Sequence, residues 1–200
     1  IKANAKFYMI NSVKNTLRVI NSVRYKLNDE FRLRFHRRYV RYQGNKFDLS
    51  HPRSIRPLKL ALLRGTYEGR EIELIKRHVN RGDKVLELGS CAGVTSLLIA
   101  DIVGVENHLV FEPDSRNYEF SLYHFKLNSK NVRIKKSLLL SGNDIPESFE
   151  FYSGDNPSAS SVLLQDHPSR REIVGTDQFE RVIAFENSKV LVLDIGRRGI

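Results

Sequence analysis

The segment VLELGSCAGVTSLLIA, residues 85–100, constrains the fold more than any other part of the chain. It begins with a short apolar run of strand length, passes through a loop framed by Gly89 and Gly93, and continues as a second apolar run that has the length of a helix. A strand that leads through a glycine loop into a helix is typical of parallel α/β sheets, and in such sheets this loop faces a ligand.

Strands and helices alternate in the pattern that follows residue 58. The predicted strands are 84–88, 108–112, 132–138 and 190–194, with a β-rich stretch at 149–153, and the predicted helices are 71–79, 94–103 and 115–127. This alternation predicts a parallel sheet covered on both faces, with ligands at the carboxyl ends of its strands. We therefore expect four loops to meet at the carboxyl edge of the sheet. The residues expected there are 89–93, Glu112, Pro113, Ser137 and Asp194.

The glycine loop excludes two common phosphate-binding motifs. A P-loop needs a Lys-Ser or Lys-Thr pair at its end, and none is present. A dinucleotide fingerprint that starts at Gly89 would need glycines where the chain has Cys91 and Val94. The spacing that is present is Glu87-x-Gly89-x-x-x-Gly93, a loop without a third glycine to approach a pyrophosphate.

This spacing resembles the first motif of the class I S-adenosylmethionine-dependent methyltransferases. Tyr67-Glu68, GDKVLELGSCAG, VFEPD, NVRIKKSLL, SASSV and LVLDI, taken in order over about residues 65–195, are similar to the FkbM family of these enzymes. The resemblance implies an α/β fold with a Rossmann-like, doubly wound parallel sheet and S-adenosylmethionine as the cofactor. It also implies O-methylation of a hydroxyl on a sugar, a glycan or a small metabolite.

The resemblance assigns the cofactor to the first two strands. The loop would pass close to the cofactor's amino-acid end through Gly89, Ser90, Cys91 and Gly93, and the start of the next helix would favour its carboxylate. Glu87 would accept from the cofactor's ammonium or hold the loop. Glu112 lies 19 residues beyond Gly93, is followed by Pro113, and would accept both ribose hydroxyls.

The remaining assignments concern the edges of the pocket. The resemblance implies that Ser137 and Leu138 flank the adenine, that Tyr67 and Glu68 border the pocket, and that Ser160 and Ser161 lie near the acceptor. Asp194 is the candidate general base, since a hydroxyl acceptor must lose its proton.

Each of these assignments has a purely structural alternative. In those alternatives, the glycines serve only backbone geometry and Glu112 is an exposed acid that closes a strand. The serines are then ordinary loop residues, Tyr67 is a half-buried packing aromatic, and Asp194 positions loops or the cofactor. We expect His124 to be a packed or surface residue and not a base.

The C-terminus departs from the family pattern. The family's fourth strand usually ends Asp-Ile/Val-Glu-Gly, whereas LDIGRRGI places Gly196 where the second acid is expected. Because further strands of the family's sheet do not follow, we expect a sheet truncated at its C-terminal side. We hypothesise that a one-nucleotide frameshift ahead of the Gly196 codon produces this ending.

The basic charge is concentrated at the N-terminus. The chain of 200 residues has a formal net charge of +10, and residues 1–46 contain 12 Lys and Arg against two acids. Apolar residues at steps of three, four or seven predict an amphipathic helix with a break at Asn28-Asp29. These residues are Ile10, Val13, Leu17, Ile20, Leu27 and Phe31. Gly44, Pro52 and Pro57 predict a linker over 44–57. The predicted division is a basic helical segment and linker, 1–57, and a methyltransferase domain, 58–200.

The basic segment allows three kinds of partner. Its apolar stripe packs on the domain or on a second subunit in a homo-oligomer, it contacts an anionic membrane surface through residues 1–46, or it binds nucleic acid. We favour the first and place membrane contact second. The alternative to a small-molecule or glycan methyltransferase is therefore an RNA-directed methyltransferase or a non-enzymatic binding module.

Cysteine content and hydropathy suggest a location. Cys91 is the single cysteine, which fits a reducing, cytoplasmic setting, and no apolar run approaches the roughly 18 residues of a membrane span. The six histidines are scattered and form no cluster with cysteine, so we expect no metal site.

Overall fold

The computed structural model describes residues 23, 24, 26–153, 160, 161, 170–186 and 191–194. The helices are α1 (26–35), α2 (Arg56–Arg64), α3 (Gly69–His78), α4 (Val94–Val103), α5 (Ser115–Leu127) and α6 (Phe179–Glu186). The strands are β1 (Tyr39–Tyr42), β2 (Asn45–Asp48), β3 (Val85–Leu88), β4 (His108–Phe111), β5 (Arg133–Lys135), β6 (Leu138–Leu140), β7 (Ser148–Ser153), β8 (Ser160–Ser161), β9 (Arg170–Gln178) and β10 (Leu191–Asp194).

Four parallel strands form the central sheet, in the order β10-β3-β4-β5. Asp194 lies opposite Leu88, Leu88 opposite Phe111, and Phe111 opposite Lys135, so the strands end level with one another. The chain runs from β3 to β4 to β5 in one direction and later places β10 on the other side of β3. The predicted α/β class with a parallel sheet is confirmed.

Apolar side chains cover both faces of this sheet, because successive residues of a strand point to opposite sides. Val85 and Val110 lie in the larger core with α4 and α5, whereas Leu86, Leu109 and Phe111 lie in a second core with Phe179 and Val182 of α6. Helix α4 is apolar nearly all round and has eight buried residues. A helix of this kind belongs between a sheet and other elements.

The predicted helices agree closely with the structure, and one predicted strand does not. Helices 94–103 and 115–127 have the predicted bounds, and the helix predicted at 71–79 occupies Gly69–His78. The strand predicted at 132–138 is confirmed over Arg133–Lys135, but its C-terminal end was wrong, because Leu138 begins β6 in another sheet. At this point Ser137 Oγ donates to Asp177 of β9, 2.5 Å away, and residues Leu138–Leu140 pair with that strand.

The second sheet has the order β6-β9-β7-β8. Strand β6 is parallel to β9, while β7 is antiparallel to both β9 and β8. The β-rich stretch predicted at 149–153 is the greater part of β7.

Part of the predicted linker is a strand of the core. Strands β1 and β2 form an antiparallel hairpin around Gly44, and Phe47 and Leu49 are 1% and 0% exposed in the same core as α4 and α5. Residues 45–49 are therefore not a linker. The nearby Pro57 occupies the first turn of α2, where proline is favoured, and so marks a helix start.

The N-terminal helix differs from its prediction in two ways. Residues 26–35 form continuous helix, so the break predicted at Asn28-Asp29 was wrong. Leu27 and Phe31 are exposed and do not pack on the domain. The rest of the predicted stripe, Ile10 to Ile20, lies outside the described residues. Within the described part of the chain, every helix is too short or too polar to cross a membrane.

Candidate functional site

The level ends of the central strands bring four chain positions to one edge of the sheet. Gly89 follows β3, Glu112 follows β4, Ser137 lies two residues beyond β5, and Asp194 is the last residue of β10. The register of the sheet therefore gathers residues that are more than 100 positions apart in sequence. We call this arrangement the loop edge.

The glycine loop has an unusual backbone. Gly89, Cys91 and Gly93 have φ values of 83°, 50° and 72°, so alternate residues adopt the left-handed conformation. Gly93 N–H donates to Ser90 O at 2.6 Å and closes the turn that leads into α4. Left-handed backbone is costly for a residue with a Cβ, by roughly 1 kcal/mol or more at Cys91, and such strain concentrates at functional sites.

The two glycines serve different purposes. A Cβ at Gly93 would lie 2.8 Å from Cε1 of Phe125 and 3.4 Å from Ser121, so Gly93 allows α5 to pack closely against the start of α4. A Cβ at Gly89 would meet no described atom within 4 Å. Among the described residues, the space beside Gly89 is therefore open, and a ligand can approach it there.

Glu112 fastens the loop to the end of β4. Its Oε2 accepts from Ser90 N at 2.8 Å and Cys91 N at 3.0 Å, and its Oε1 accepts from Asp114 N at 3.0 Å. The side chain is 3% exposed, so the interpretation as an exposed acid that closes a strand was wrong. Burial raises the pKa of Glu112 to about 7, even though the three N–H donors favour its charged form.

Residues beyond Glu112 begin the next helix. Pro113 interrupts the strand, and Asp114 is the N-cap of α5, where its side chain accepts from Arg116 N at 2.8 Å and Asn117 N at 3.2 Å. Glu112 thus holds the glycine loop, and Asp114 caps α5.

Glu87 lies beneath the loop and not in it. Its side chain is fully buried, and Oε1 accepts from Thr95 Oγ1 in the first turn of α4 at 2.9 Å. Its Oε2 lies 2.9 Å from Nε2 of the equally buried His108, although the two atoms are not in hydrogen-bonding geometry. These contacts connect Glu87 to the first turn of α4 and to the start of β4.

Tyr67 and Glu68 approach the loop from the preceding segment. The Tyr67 hydroxyl lies 3.6 Å from Cys91 Sγ, and its burial, with the charges of Cys91 and Glu68, raises its pKa well above the usual value. Tyr67 is half-buried and packs against the larger core. Glu68 is the N-cap of α3 with a left-handed φ of 44°. Glu68, a second residue with left-handed backbone, therefore directly follows Tyr67, whose hydroxyl contacts Cys91.

The outer residues are connected to the second sheet. Ser137 is buried and donates to Asp177, and Leu138 pairs with Thr176 of β9. Burial opposes the ionisation of Asp177, but hydrogen bonds from Ser137 and Lys135 hold its pKa below the usual value. Ser160 and Ser161 form β8, opposite Ser153 and Tyr152 of β7.

Two arginines at the loop edge were missed by sequence reasoning. Arg53 Nη2 donates to Asn117 Oδ1 at 2.6 Å. Burial and the neighbouring charge of Arg116 lower the pKa of Arg53, while the charges of Asp114 and Glu112 oppose that shift. Arg116 Nη2 donates to Ser153 Oγ at 3.0 Å. No feature of the sequence around Arg53 indicated a functional role, since it lay in the predicted linker. Arg116 could have been noticed, because a cation in the first turn of a helix is unfavourable and therefore indicates a partner.

His124 is a packed residue, as predicted. It is 1% exposed, its Nδ1 lies 2.8 Å from Ala92 O, and its Nε2 accepts from Asp48 N at 3.3 Å. Because Nε2 is an acceptor, the neutral ring carries its proton on Nδ1 and donates to Ala92. Burial lowers the pKa of His124 to about 4.

A scan against models of known protein families found no match to this chain, and neither did searches of curated proteins and of solved structures.

Proposed function

We propose that this chain is an S-adenosylmethionine-dependent methyltransferase whose acceptor is a hydroxyl of a sugar, a glycan or a small metabolite. The observation that carries the proposal is the glycine loop between β3 and α4, which is open at Gly89 and held by the carboxylate of Glu112 from the next strand. This is the pair of elements that the sequence resemblance assigns to the cofactor.

The strand order supports a ligand crevice at this place. In open parallel sheets, ligands bind where neighbouring strands are connected in opposite directions. The chain leaves β3 toward β4 on one side, and β10 lies on the other side. The crevice is thus expected between the ends of β3 and β10, which places it between the glycine loop and Asp194. A Rossmann-like, doubly wound sheet of the methyltransferase type is the finer form of this proposal.

The residues present fit a sulfonium nucleoside that carries an amino-acid tail. Gly89 leaves space for the tail, and among the described residues no side chain caps α4 and no acid lies in its first turn, which suits a carboxylate. Each oxygen of Glu112 can accept two hydrogen bonds, and Oε1 accepts one from the backbone at Asp114 N. Glu112 therefore keeps acceptor capacity for a ribose hydroxyl while it holds the loop.

The chain's contribution to the reaction is alignment and removal of one proton. The bound cofactor supplies an activated methyl group on sulfur. The loop edge orients the acceptor hydroxyl for an in-line displacement and excludes water. Asp194, at the end of β10, accepts the hydroxyl proton. Ser137, Leu138, Tyr67 and Glu68 border the cofactor in this proposal, and Ser160 and Ser161 border the acceptor.

Calorimetric titration with S-adenosylhomocysteine tests cofactor binding, with NAD as the control ligand. We expect micromolar binding of the first and none of the second. Glu112→Ala should abolish binding, because it releases both loop N–H groups, whereas Glu119→Ala, at an exposed position on α5, should leave it unchanged. Failure of the intact chain to bind S-adenosylhomocysteine, or undiminished binding by Glu112→Ala, would contradict the proposal.

Asp194→Asn separates binding from proton removal. If Asp194 is the base, S-adenosylhomocysteine affinity stays within about threefold while methyl transfer to the acceptor falls by on the order of 100-fold or more. A loss of affinity equal to the loss of turnover would instead assign Asp194 to cofactor positioning. The measurement is methyl transfer from labelled cofactor, once a sugar or metabolite panel has yielded an acceptor.

A further inference from the structure

Helix α1 carries a row of apolar side chains that faces water. Leu27, Phe31 and Phe35 follow one another at four-residue steps, which places them along one side of α1. Val23, itself helical, precedes Leu27 by four residues. The side chains of Val23, Leu27, Phe31 and Phe35 are 51%, 66%, 63% and 64% exposed. The rings of Phe31 and Phe35 lie 4.6 Å apart. Single exposed apolar residues are ordinary, but a continuous row of this kind marks a surface that another body covers.

The other side of α1 is docked on α2, which fixes the direction of the row. Arg64 Nε donates to Asp29 at 2.9 Å, Arg56 pairs with Glu30, and Arg32 Nη1 donates to Leu63 O at 2.9 Å. Asp29 and Leu33 are the residues of α1 that are partly buried. The apolar row therefore points away from the rest of the described chain.

The charges on α1 are divided between these two sides. Asp29 and Glu30, the two acids of the N-terminal 46 residues, are both paired with arginines of α2. At 100° per residue, Arg24 and Arg34 fall within the arc of the apolar row, and both are exposed. Within the arc of the row lie four apolar side chains, two cations and no acid, while Glu30 lies beside the arc and is paired with Arg56. Such a face is complementary to an anionic lipid surface, where apolar groups enter the interface and arginines meet phosphate.

We infer that the outward face formed by Leu27, Phe31, Phe35 and Arg34 of α1, together with the preceding Val23 and Arg24, binds the surface of an anionic membrane, with α1 lying in the plane of the interface. A second copy of the chain fits less well, because a symmetric contact would bring the arginines of both copies together. A nucleic acid would satisfy the arginines but would leave Val23 and Leu27 in water. This inference does not depend on the proposed methyltransferase activity.

Co-sedimentation of the full chain with vesicles tests the inference. Phosphatidylcholine vesicles that contain phosphatidylglycerol should bind the protein, vesicles of phosphatidylcholine alone should bind it far less, and added salt should weaken the binding. The triple variant Leu27→Ser, Phe31→Ser, Phe35→Ser should lower the partition coefficient by on the order of tenfold or more. The pair Arg24→Gln, Arg34→Gln should lower it by on the order of tenfold on anionic vesicles.

Matched controls are available elsewhere on the surface. Leu74 and Ile173 are 52% and 65% exposed, and Arg70 and Lys76 are exposed cations of α3. Leu74→Ser with Ile173→Ser, and Arg70→Gln with Lys76→Gln, should leave vesicle binding within about twofold, since these residues lie off the proposed face. Thermal unfolding checks that each variant is folded. Should the triple variant unfold, the arginine pair and the salt dependence still decide the question.

Three results would overturn the inference. The first is that the full chain fails to sediment with phosphatidylglycerol vesicles, or that the control variants lose as much binding as the α1 variants. The second is a concentration-dependent dimer, measured by light scattering, that the triple variant abolishes while vesicle binding is absent. The third is salt-sensitive binding to a single-stranded RNA oligonucleotide without vesicle binding, which would assign the face to nucleic acid.

Discussion

Two buried side chains next to the glycine loop titrate in opposite directions. Burial raises the pKa of Glu112 to about 7, so its contribution to stability is largest below the unfolded value near 4.5 and is lost as the pH rises to 7. Burial lowers the pKa of His124 to about 4, so its contribution is largest above the unfolded value near 6.5 and is lost as the pH falls to 4. Between pH 4.5 and 6.5 the two effects offset each other.

Replacing His124 separates these effects. His124→Asn removes the hydrogen bond from Asp48 N and should cost about 1–3 kcal/mol at pH 7. As the pH falls from 7 to 4, the advantage of the wild-type chain over the variant should shrink by about 3 kcal/mol, because only the wild type must then protonate a buried ring. Urea unfolding at a series of pH values measures this difference.

The exposed His78 provides the control for that experiment. The stability of His78→Asn should differ from that of the wild type by less than about 0.5 kcal/mol at every pH. A constant difference between wild type and His124→Asn across this pH range would show that His124 does not titrate below its ordinary range.

The contact between α4 and α5 depends on one of the two loop glycines. In Gly93→Ala the new Cβ would lie 2.8 Å from Phe125 Cε1, at a residue whose φ is 72°. Clash and strain together should cost about 2–4 kcal/mol. Gly89→Ala carries only the strain, about 1 kcal/mol, because no described atom lies near the new Cβ.

Chemical denaturation and S-adenosylhomocysteine titration of the two variants distinguish these roles. Gly93→Ala should lose stability, and Phe125→Leu in the same chain should restore part of it. Gly89→Ala should remain folded and lose affinity, because its methyl enters the space assigned to the ligand. Equal stability losses in both variants would show that both glycines serve packing.

The elements that could be predicted are those whose signals are local. Helices α4 and α5 have continuous periodic patterns, and both have a capping or turn residue at the start, Gly93 and Asp114. The strand predicted over 132–138 was too long at its C-terminal end, where Ser137 bonds Asp177, 40 residues away, and the chain joins the second sheet. A hydrogen bond to a distant strand does not change the hydrophobic pattern of the segment that makes it, so the end of this strand could not be predicted from that pattern.

The same distinction holds for the candidate site. Gly89 and Glu112 could be found because each directly follows an apolar strand. Arg53 could not, since it lies between elements, and its bond to Asn117, 64 residues away, leaves no local pattern. The β1–β2 hairpin was not predicted from the sequence because residues such as Asp48 are typical of loops. In the structure Asp48 is 1% exposed, and its carboxylate accepts from Ser50 N at 2.8 Å and from the Tyr123 hydroxyl at 2.6 Å.

At the scale of the whole molecule, the hairpin joins the N-terminal part of the chain to the α/β core. Phe47 and Leu49 pack in the core that also contains Leu97 of α4 and Phe120 of α5. Backbone and side-chain bonds add to this contact: Asn128 Oδ1 accepts from Lys46 N at 2.7 Å. A chain joined in this way should unfold as one unit, whereas a true linker would let its two parts unfold separately.

Phe47→Ala tests this unity. The fully buried ring leaves a cavity between the hairpin and the helices, and we expect a loss of about 3–5 kcal/mol that appears in the single unfolding transition of the whole chain. The control is Phe35→Ala at a ring that is 64% exposed, for which we expect less than about 0.5 kcal/mol. Differential scanning calorimetry with far-ultraviolet circular dichroism reports both size and cooperativity. A second transition that Phe47→Ala leaves in place would show that the sheet folds without the hairpin, and would restore the division near residue 57.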